Sequence, residues 1–203
     1  DGKDYEMRDC LFPTIDPENP YQLTEEEEEI VQKLHKSFTG SEKLRKHMKC
    51  IFRYGCMYNV CNSNLLFHAS MPMNADGTLK EVDILGKKYK GEALLKRVGQ
   101  LIRTAYFAEE DDPEKAFARD FIWYLWCGEK SPLFGKNRMA TFERYFVDDK
   151  EVHEEVKNPY YQFVENEAVC NRILKEFGLV PAVSHIINGH VPVKIKKGES
   201  PVK

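Results

Sequence analysis

The sequence predicts an α+β fold in which sheet segments near both ends of the chain flank a helical middle. Two apolar runs with strand character, Leu65–Phe67 and Val183–Ile187, are each followed by a histidine, His68 and His190. Between them, apolar residues from 94 to 105 recur every three or four positions, which indicates a helix packed along one side. Strands at both ends and helices between them predict this fold class.

The first helices are preceded by an extended segment. Residues 1–23 contain Pro13, Pro17 and Pro20 and no periodicity. Thr24, followed by Glu27, predicts a capping box at the start of a helix. Gly40-Ser41 predicts the start of a second helix, which Gly55 ends as a C′ glycine. The apolar stripe of the first helix and the inward face of the second comprise Ile30, Val31, Leu34, Phe38, Leu44, Met48, Ile51 and Phe52.

The region before the central helices alternates strand and turn signals. Cys56–Cys61 and Leu65–Ser70 flank a loop of hairpin length, so they predict a β-hairpin. Asp76-Gly77 predicts a turn, Leu79–Leu85 a short strand, and Gly86–Gly91 a loop. Near the other end, Val183–Ile187 is short and β-branched and predicts a buried strand. The Asn188-Gly189 dipeptide after it accepts positive φ and predicts a sharp turn.

Three further helices follow from the remaining patterns. Asp112-Pro113 predicts an N-cap with proline at the first helical position, opening a helix to about Trp126. A short helix is expected at 139–146 and a last one at 166–177. The aromatic residues of the helix that ends near Trp126 could form a sugar-binding platform, but at helical spacing core packing is the favoured interpretation. They are Phe117, Phe121, Trp123, Tyr124 and Trp126.

Composition excludes several function classes. The chain has 203 residues, enough for one domain, and a formal net charge of −3, so we expect no nucleic-acid partner. No apolar run is long enough to span a membrane, and no signal peptide opens the chain. The six cysteines form no C-x-x-C pair, which favours free thiols in a reducing cytoplasm. The absence of an initial Met suggests an excerpt of a longer protein.

The two histidines that follow strands are the candidate functional residues. A single histidine after an apolar run is more often a satisfied polar group than a ligand. The same presentation twice, at His68 and at His190, favours a shared metal ion. We therefore expect both imidazoles on the same edge of one sheet. The loop between Gly128 and Arg138 is a second candidate, since its Lys130, Ser131, Lys136 and Arg138 could bind a phosphate.

Three stretches resemble a known family: Asn64–Pro72, Trp123–Gly135 and Ile187–Val193. They are similar to motifs of the class 3 fructose-1,6-bisphosphatases, within the calcineurin-like metallophosphoesterase superfamily. The family usually has Gly where this chain has Ala69, and commonly Thr where it has Val191. Neither difference removes a metal-binding group.

The resemblance implies part of a calcineurin-like α/β sandwich with a helical cap insertion. Its parts would be residues 1–91 with His68, the cap at 92–160, and residues 161–203 with His190. The implied reaction is hydrolysis of the 1-phosphate of fructose 1,6-bisphosphate, a step of gluconeogenesis. It uses two divalent metal ions, typically Mn²⁺. His68 and His190 would be two ligands of one ion.

The superfamily's early motifs, which supply most of the metal ligands, are absent from this sequence. The chain alone is therefore expected to contain no catalytic residue and to be inactive, with the metal site unfilled. Two alternatives stay open. One is a non-catalytic helical interaction or regulatory module, and the other is a metallophosphoesterase for a different phosphoester. The oligomeric state does not follow from the sequence.

Overall fold

The first helix begins where the sequence predicts, because local side chains satisfy its first amides. The computed structural model describes residues 2–202. Helix α1 spans Glu25–Thr39. The Thr24 hydroxyl accepts a hydrogen bond from the Glu27 N–H, and the Glu27 carboxylate accepts one from the Thr24 N–H, so the capping box is confirmed. Helix α2 spans Glu42–Tyr54 and is capped by the Ser41 side chain.

Helices α1 and α2 contain no buried residue. The side chains of the α1 stripe are between 48% and 66% exposed. In α2, Leu44, Met48 and Phe52 are half-buried, but Ile51 is exposed, so its predicted inward position is wrong. Gly55 is also not a left-handed C′ residue. It has extended backbone with φ −71° and ends α2 by donating its N–H to the Ile51 carbonyl.

Contacts within the chain divide it into two compact units. The first contains the residues up to Gly55 together with Ala140–Glu154. The second contains Cys56–Met139 together with the residues from Glu155 onward. The division implied by the family resemblance, into residues 1–91, 92–160 and 161–203, separates two parts of a phosphoesterase sheet from a helical cap. That division stays a prediction.

In the first unit, the segment before α1 contacts the short helix α5, Thr141–Phe146. The Arg8 guanidinium donates to the carbonyls of Arg144 and Tyr145, at 2.8 and 3.0 Å, and pairs with Asp148 at 3.1 Å. A cation suits these carbonyls because the C-terminal end of a helix carries partial negative charge. The described residues before α1 otherwise form turns and one isolated bridge, between Met7 and Val147.

The second unit contains a sheet of three strands, in the order β1-β2-β5. Strands β1, Tyr58–Cys61, and β2, Asn64–Phe67, form the predicted hairpin. Asn62 and Ser63 connect them with φ of 49° and 61°, the conformation that a two-residue hairpin turn requires. Strand β5, His185–Asn188, pairs with β2 in parallel, and Phe67 lies opposite Asn188.

The prediction of a buried strand over Val183–Ile187 is wrong in two respects. Val183 ends a short 3₁₀ helix, Pro181–Val183, and is exposed. Within β5 only Ile186 is half-buried. The physical reason is position, since β5 is one of the two edge strands of the described sheet and neither of its faces is fully covered.

A second hairpin lies where one strand and a loop are predicted. Strands β3, Val82–Ile84, and β4, Lys87–Tyr89, pair across a turn formed by Leu85 and Gly86, with φ of 54° and 76°. The prediction of a loop over Gly86–Gly91 is therefore wrong. Strand β4 is too polar to show the alternation by which strands are found in a sequence.

One core of the second unit lies between helices α3, Gly91–Phe107, and α4, Lys115–Cys127. Helix α4 begins later than predicted, because the Asp112 carboxylate accepts from the Glu114 N–H and closes a turn before the helix. Phe121 is buried, which agrees with core packing of this aromatic face. Trp123 and Trp126 are 66% and 58% exposed and lie outside the core.

A second core supports β2 and therefore the segment that carries His68. Helix α6, Glu167–Glu176, is capped by Asn166, where the last predicted helix begins. Its buried apolar residues belong to the same core as the buried side chains of β2. The buried members of this core are Leu65, Phe67, Met71, Met73, Leu95, Tyr160, Val169, Ile173, Leu174 and Phe177. Among residues 2–202, no helix is both long and apolar enough to cross a membrane.

Candidate functional site

The parallel pairing of β2 and β5 brings His68 and His190 together. His68 directly follows β2, and His190 lies two residues beyond the end of β5. Since parallel strands end at the same edge of a sheet, both side chains lie at that edge. The Nδ1 atom of His190 lies 3.1 Å from the Nε2 atom of His68, and the ring centroids are 5.0 Å apart. The predicted proximity of the two imidazoles is confirmed.

Hydrogen bonds beyond the last paired residues hold the two histidine segments together. The Gly189 N–H donates to the His68 carbonyl at 2.9 Å. The Asn188 side-chain amide donates through Nδ2 to the Ala69 carbonyl, also at 2.9 Å. The two interactions fix both peptide groups that follow the Cα atom of His68.

The sharp turn before His190 differs from the prediction. Positive φ occurs at His190 itself, with a value of 65°, and not at Asn188 or Gly189. A Cβ atom built on Gly189 would lie 3.7 Å from the His68 carbonyl oxygen, which is an ordinary contact distance. The site therefore does not require glycine for close approach. The strain lies in a non-glycine residue, as is common where surrounding contacts over-determine a functional conformation.

The surroundings of His190 favour its neutral form. Partial burial lowers the pKa of the His190 imidazole, and the neighbouring His68 and the Lys136 ammonium lower it further. A hydrogen bond with the Phe134 backbone acts in the opposite direction on this pKa. A neutral imidazole is the form that coordinates a metal.

The spacing of the two ring nitrogens suits two ligands of one cation. Nitrogen ligands at about 2.1 Å from a metal, with an angle of about 90–109° between them, lie about 3.0–3.4 Å apart. The observed separation of 3.1 Å falls within this range. It equally suits an N–H···N hydrogen bond between the two rings. Residues 2–202 contain no group of three or more His, Cys, Asp or Glu side chains that could hold a metal. A cation at this pair would therefore need further ligands.

The loop from Gly128 to Arg138 lies beside the histidine pair. The Ser70 N–H, two residues after His68, donates to the Pro132 carbonyl at 3.2 Å. Gly135 has φ of 69°, and a Cβ atom there would lie 2.8 Å from the Tyr161 hydroxyl oxygen and 3.4 Å from the Ser70 hydroxyl oxygen. The loop is thus packed closely against the segment that follows His68.

The four phosphate candidates of this loop have different environments. Ser131 is fully buried, and its hydroxyl donates to the Leu125 carbonyl and accepts from two loop amides, so the prediction that it binds phosphate is wrong. The hydroxyl has no capacity left for a ligand. Lys136 pairs with Glu155 at 2.6 Å. Lys130 and Arg138 are half-buried.

Sequence reasoning missed the contribution of Asn188 to this site. It treats Asn188 only as a turn former, whereas the structure uses its side chain to bind Ala69. The proximity of Ser70 and Tyr161 to the loop was also not apparent, because it depends on Gly135. The Asn188-Gly189 dipeptide and the glycines of the loop were visible in the sequence. Neither signal shows which residues would lie against them in the fold.

Comparison with known proteins determines the family. The sequence model of the Firmicute fructose-1,6-bisphosphatases matches residues 1–203. The chain belongs to this family. The α+β fold of the chain agrees with the predicted fold class.

Curated relatives of the family extend well beyond this chain. A class 3 fructose-1,6-bisphosphatase of Phocaeicola vulgatus is 62% identical over 202 residues, 100% of this chain and 30% of the relative. Proteins of the same name from Bacteroides fragilis and Clostridium novyi are 59% and 53% identical, again over 100% of this chain and 31% and 30% of their own lengths. The chain thus spans about 30% of the length of these relatives. No solved structure matches it.

Proposed function

We propose that this chain forms part of a metal-dependent fructose-1,6-bisphosphatase, in which His68 and His190 bind one divalent cation. The observation that supports the proposal is the 3.1 Å separation of their ring nitrogens at the edge of the sheet. The name shared by the curated relatives supplies the substrate. Regulatory modules and phosphatases for other esters are not favoured by that name.

The two imidazoles that this chain provides are suitable ligands for a divalent cation. Two neutral imidazoles suit Mn²⁺, Fe²⁺ or Zn²⁺, and Mn²⁺ also accepts the carboxylates that a second ion would need. A pair of such ions supplies Lewis-acid activation and charge neutralisation at a transferring phosphoryl group. The remaining ligands would come from the part of the protein that the relatives have and these residues do not include. We also propose that the protein acts in the cytoplasm.

The chain's own residues orient the two ligands. Gly189 and Asn188 hold the peptide groups beside His68. In this arrangement Nδ1 of His190 and Nε2 of His68 are the two ring nitrogens that lie next to each other, and we propose that these two atoms bind the cation.

A sugar bisphosphate has a second phosphate, for which we propose the loop beside the site. The Lys136 ammonium is among the groups that lower the pKa of the His190 imidazole, which supports its inclusion. Its partner Glu155 neutralises it in this structure, so a phosphate would compete with that carboxylate. Lys130 and Arg138 complete the proposed set.

The metal proposal is tested in a protein that carries these residues at the length of the relatives. His190→Ala and His68→Ala should each reduce Mn²⁺-dependent hydrolysis of fructose 1,6-bisphosphate more than about a hundredfold, since even residues behind a ligand contribute about 10–100-fold. His185→Ala is the matched control, because this histidine lies at the opposite end of β5 and contacts Asn64. Equal rates for His190→Ala and His185→Ala would reject the ligand assignment. The 203-residue chain alone should be inactive.

The loop proposal is tested by comparing two substrates. Arg138→Ala should raise KM for the bisphosphate much more than KM for a sugar monophosphate, because only the bisphosphate has a second phosphate to bind. Lys87→Ala is the control, since it removes a cation from the exposed strand β4. Equal changes in KM for both substrates would exclude a role in binding the second phosphate.

A further inference from the structure

Hydrogen bonds between the β2 and β5 segments continue past the last paired residues of both strands. The parallel pairing ends with Phe67 opposite Asn188. One residue further, the Gly189 N–H still reaches the His68 carbonyl, which continues the backbone ladder by one step. At the next carbonyl, that of Ala69, the donor is no longer a backbone group but the side-chain amide of Asn188. The Asn188 side chain thus replaces a backbone N–H where the two strands diverge.

Two donors on one segment constrain the other segment more than one donor does. A single hydrogen bond from Gly189 would leave the His68 segment free to pivot about that bond. The second bond, to Ala69, removes the pivot, because both peptide groups after the His68 Cα atom are then attached to the turn that leads to His190. The attachment links the backbone that carries the His68 ring to the turn that carries the His190 ring.

The conformation of His190 makes the attachment necessary. Its φ of 65° is unfavourable for a residue with a side chain and persists only where neighbouring contacts hold it. Asn188 lies two residues before it and binds across to the other strand. Loss of that contact would allow the 188–190 turn to relax toward ordinary backbone angles, and the His190 ring would move with it.

We propose that Asn188 is a positioning residue, whose Nδ2–Ala69 hydrogen bond sets the separation and relative orientation of His68 and His190. The proposal rests on the proposed function in one respect, namely that the two imidazoles bind a cation. Asn188 itself does not contact the cation. It acts by holding the two ligands at the spacing that one ion requires.

The chain offers a matched control for Asn188. Asn64 is also an asparagine that joins β2 to β5 through its side chain, with Oδ1 3.1 Å from Nδ1 of His185. That contact lies at the beginning of both strands, whereas Asn188 acts at their ends. Asn64→Ala therefore removes a comparable tie between the same strands without altering the histidine edge.

The first measurement uses the metal-free 203-residue chain. Ring-to-ring nuclear Overhauser effects between His68 and His190, together with the ¹⁵N pattern of their tautomers, report the relative position of the two imidazoles. We expect the contact in the wild type and in Asn64→Ala, and its loss in Asn188→Ala. Asn188→Asp provides a second variant that keeps the shape but removes the donor, and it should lose the contact as well.

The second measurement adds Mn²⁺ alone and follows the paramagnetic broadening of the two histidine ring signals. The dissociation constant should rise about tenfold to a hundredfold in Asn188→Ala and Asn188→Asp, the range typical of residues that orient metal ligands. It should change less than twofold in Asn64→Ala. Thermal unfolding of the same variants shows whether the loss of stability in Asn64→Ala and Asn188→Ala is similar.

The outcomes separate this proposal from the proposed function. If both Asn188 variants keep the ring contact, the tautomers and the dissociation constant of the wild type, Asn188 does not position the pair. If Asn64→Ala produces the same losses as Asn188→Ala, the effect belongs to strand pairing in general and the proposal is overturned. If the wild-type rings are in contact but Mn²⁺ does not broaden them, the metal assignment fails, while the ring-contact measurement still decides the role of Asn188.

Discussion

Replacing Gly135 with alanine should destabilise the chain through two separable effects. Gly135 has φ of 69°, and the left-handed region costs a residue with a side chain about 1–2 kcal/mol. The new Cβ atom would lie 2.8 Å from the hydroxyl oxygen and 3.1 Å from Cε2 of Tyr161, and such overpacking costs about 1–3 kcal/mol. We therefore expect Gly135→Ala to lower the free energy of unfolding by about 2–5 kcal/mol.

The Tyr161 ring has little freedom to move away. Its hydroxyl is buried, and its ring packs edge-on against Tyr160 with centroids 5.5 Å apart. Gly135 is also held, because its carbonyl accepts from the Asn158 N–H at 2.9 Å. We therefore expect displacement of the loop beside the histidine pair to relieve the clash.

Gly86 provides the control for the conformational effect. It has φ of 76°, and a Cβ atom added there would have no other atom within 4 Å, so Gly86→Ala should cost only the left-handed contribution of about 1–2 kcal/mol. Urea unfolding followed by the fluorescence of Trp123 and Trp126 measures both variants. Adding Tyr161→Phe to Gly135→Ala should recover at least about 0.5 kcal/mol, since residues in contact are coupled. Equal destabilisation by the two alanine variants would refute the packing argument.

Three further predictions concern the stability contributions of Ser131, Leu65 and Glu27. Ser131→Ala should cost about 1–3 kcal/mol in urea unfolding, because it leaves buried loop amides and the Leu125 carbonyl without their partner; a variant as stable as the wild type would contradict this. Leu65→Ala should cost about 2–5 kcal/mol in the same assay, since Leu65 is fully buried in the core under β2; a cost below about 1 kcal/mol would be inconsistent with that burial. The backbone hydrogen bond from Thr24 lowers the pKa of the Glu27 carboxyl, so its stabilisation of α1 is present above the ordinary pKa of glutamate and is lost as the pH falls through the lowered value. The amide NMR signal of Thr24 should titrate below the ordinary pKa of glutamate, and a midpoint at or above it would disprove the cap.

Local interactions made part of the fold predictable from the sequence. The capping box of α1 involves residues three positions apart, and the β1–β2 turn needs only Asn62 and Ser63. Both follow from side-chain and backbone chemistry within a few residues. The start of α4 was less predictable, because Asp112 can cap either a helix or the preceding turn, and the structure uses it for the turn.

Non-local interactions account for what the sequence did not reveal. Strand β4 is polar and is defined by its pairing with β3 rather than by its own pattern. Ser131 carries the same hydroxyl as an exposed phosphate ligand, and only burial shows that its hydrogen bonds are used inside the chain. The proximity of His68 and His190 was predictable because two similar strand ends suggest a common edge. The side-chain hydrogen bond of Asn188 was not, since its acceptor, the Ala69 carbonyl, lies 119 residues away in the segment that follows β2.

The geometry of the histidine pair depends on the register between an anchored strand and a less constrained one. In β2, Leu65 and Phe67 are buried in the core, so a shift by one residue would expose them and turn Asn64 and Leu66 inward. Strand β5 has no such constraint, because only Ile186 is half-buried. A slip of β5 by one residue would move His190 by about 3.3 Å along the strand, as far as the whole separation of the two ring nitrogens. The core therefore fixes the position of His68, whereas the hydrogen bonds of Asn188 and Gly189 at the end of β5 must fix that of His190.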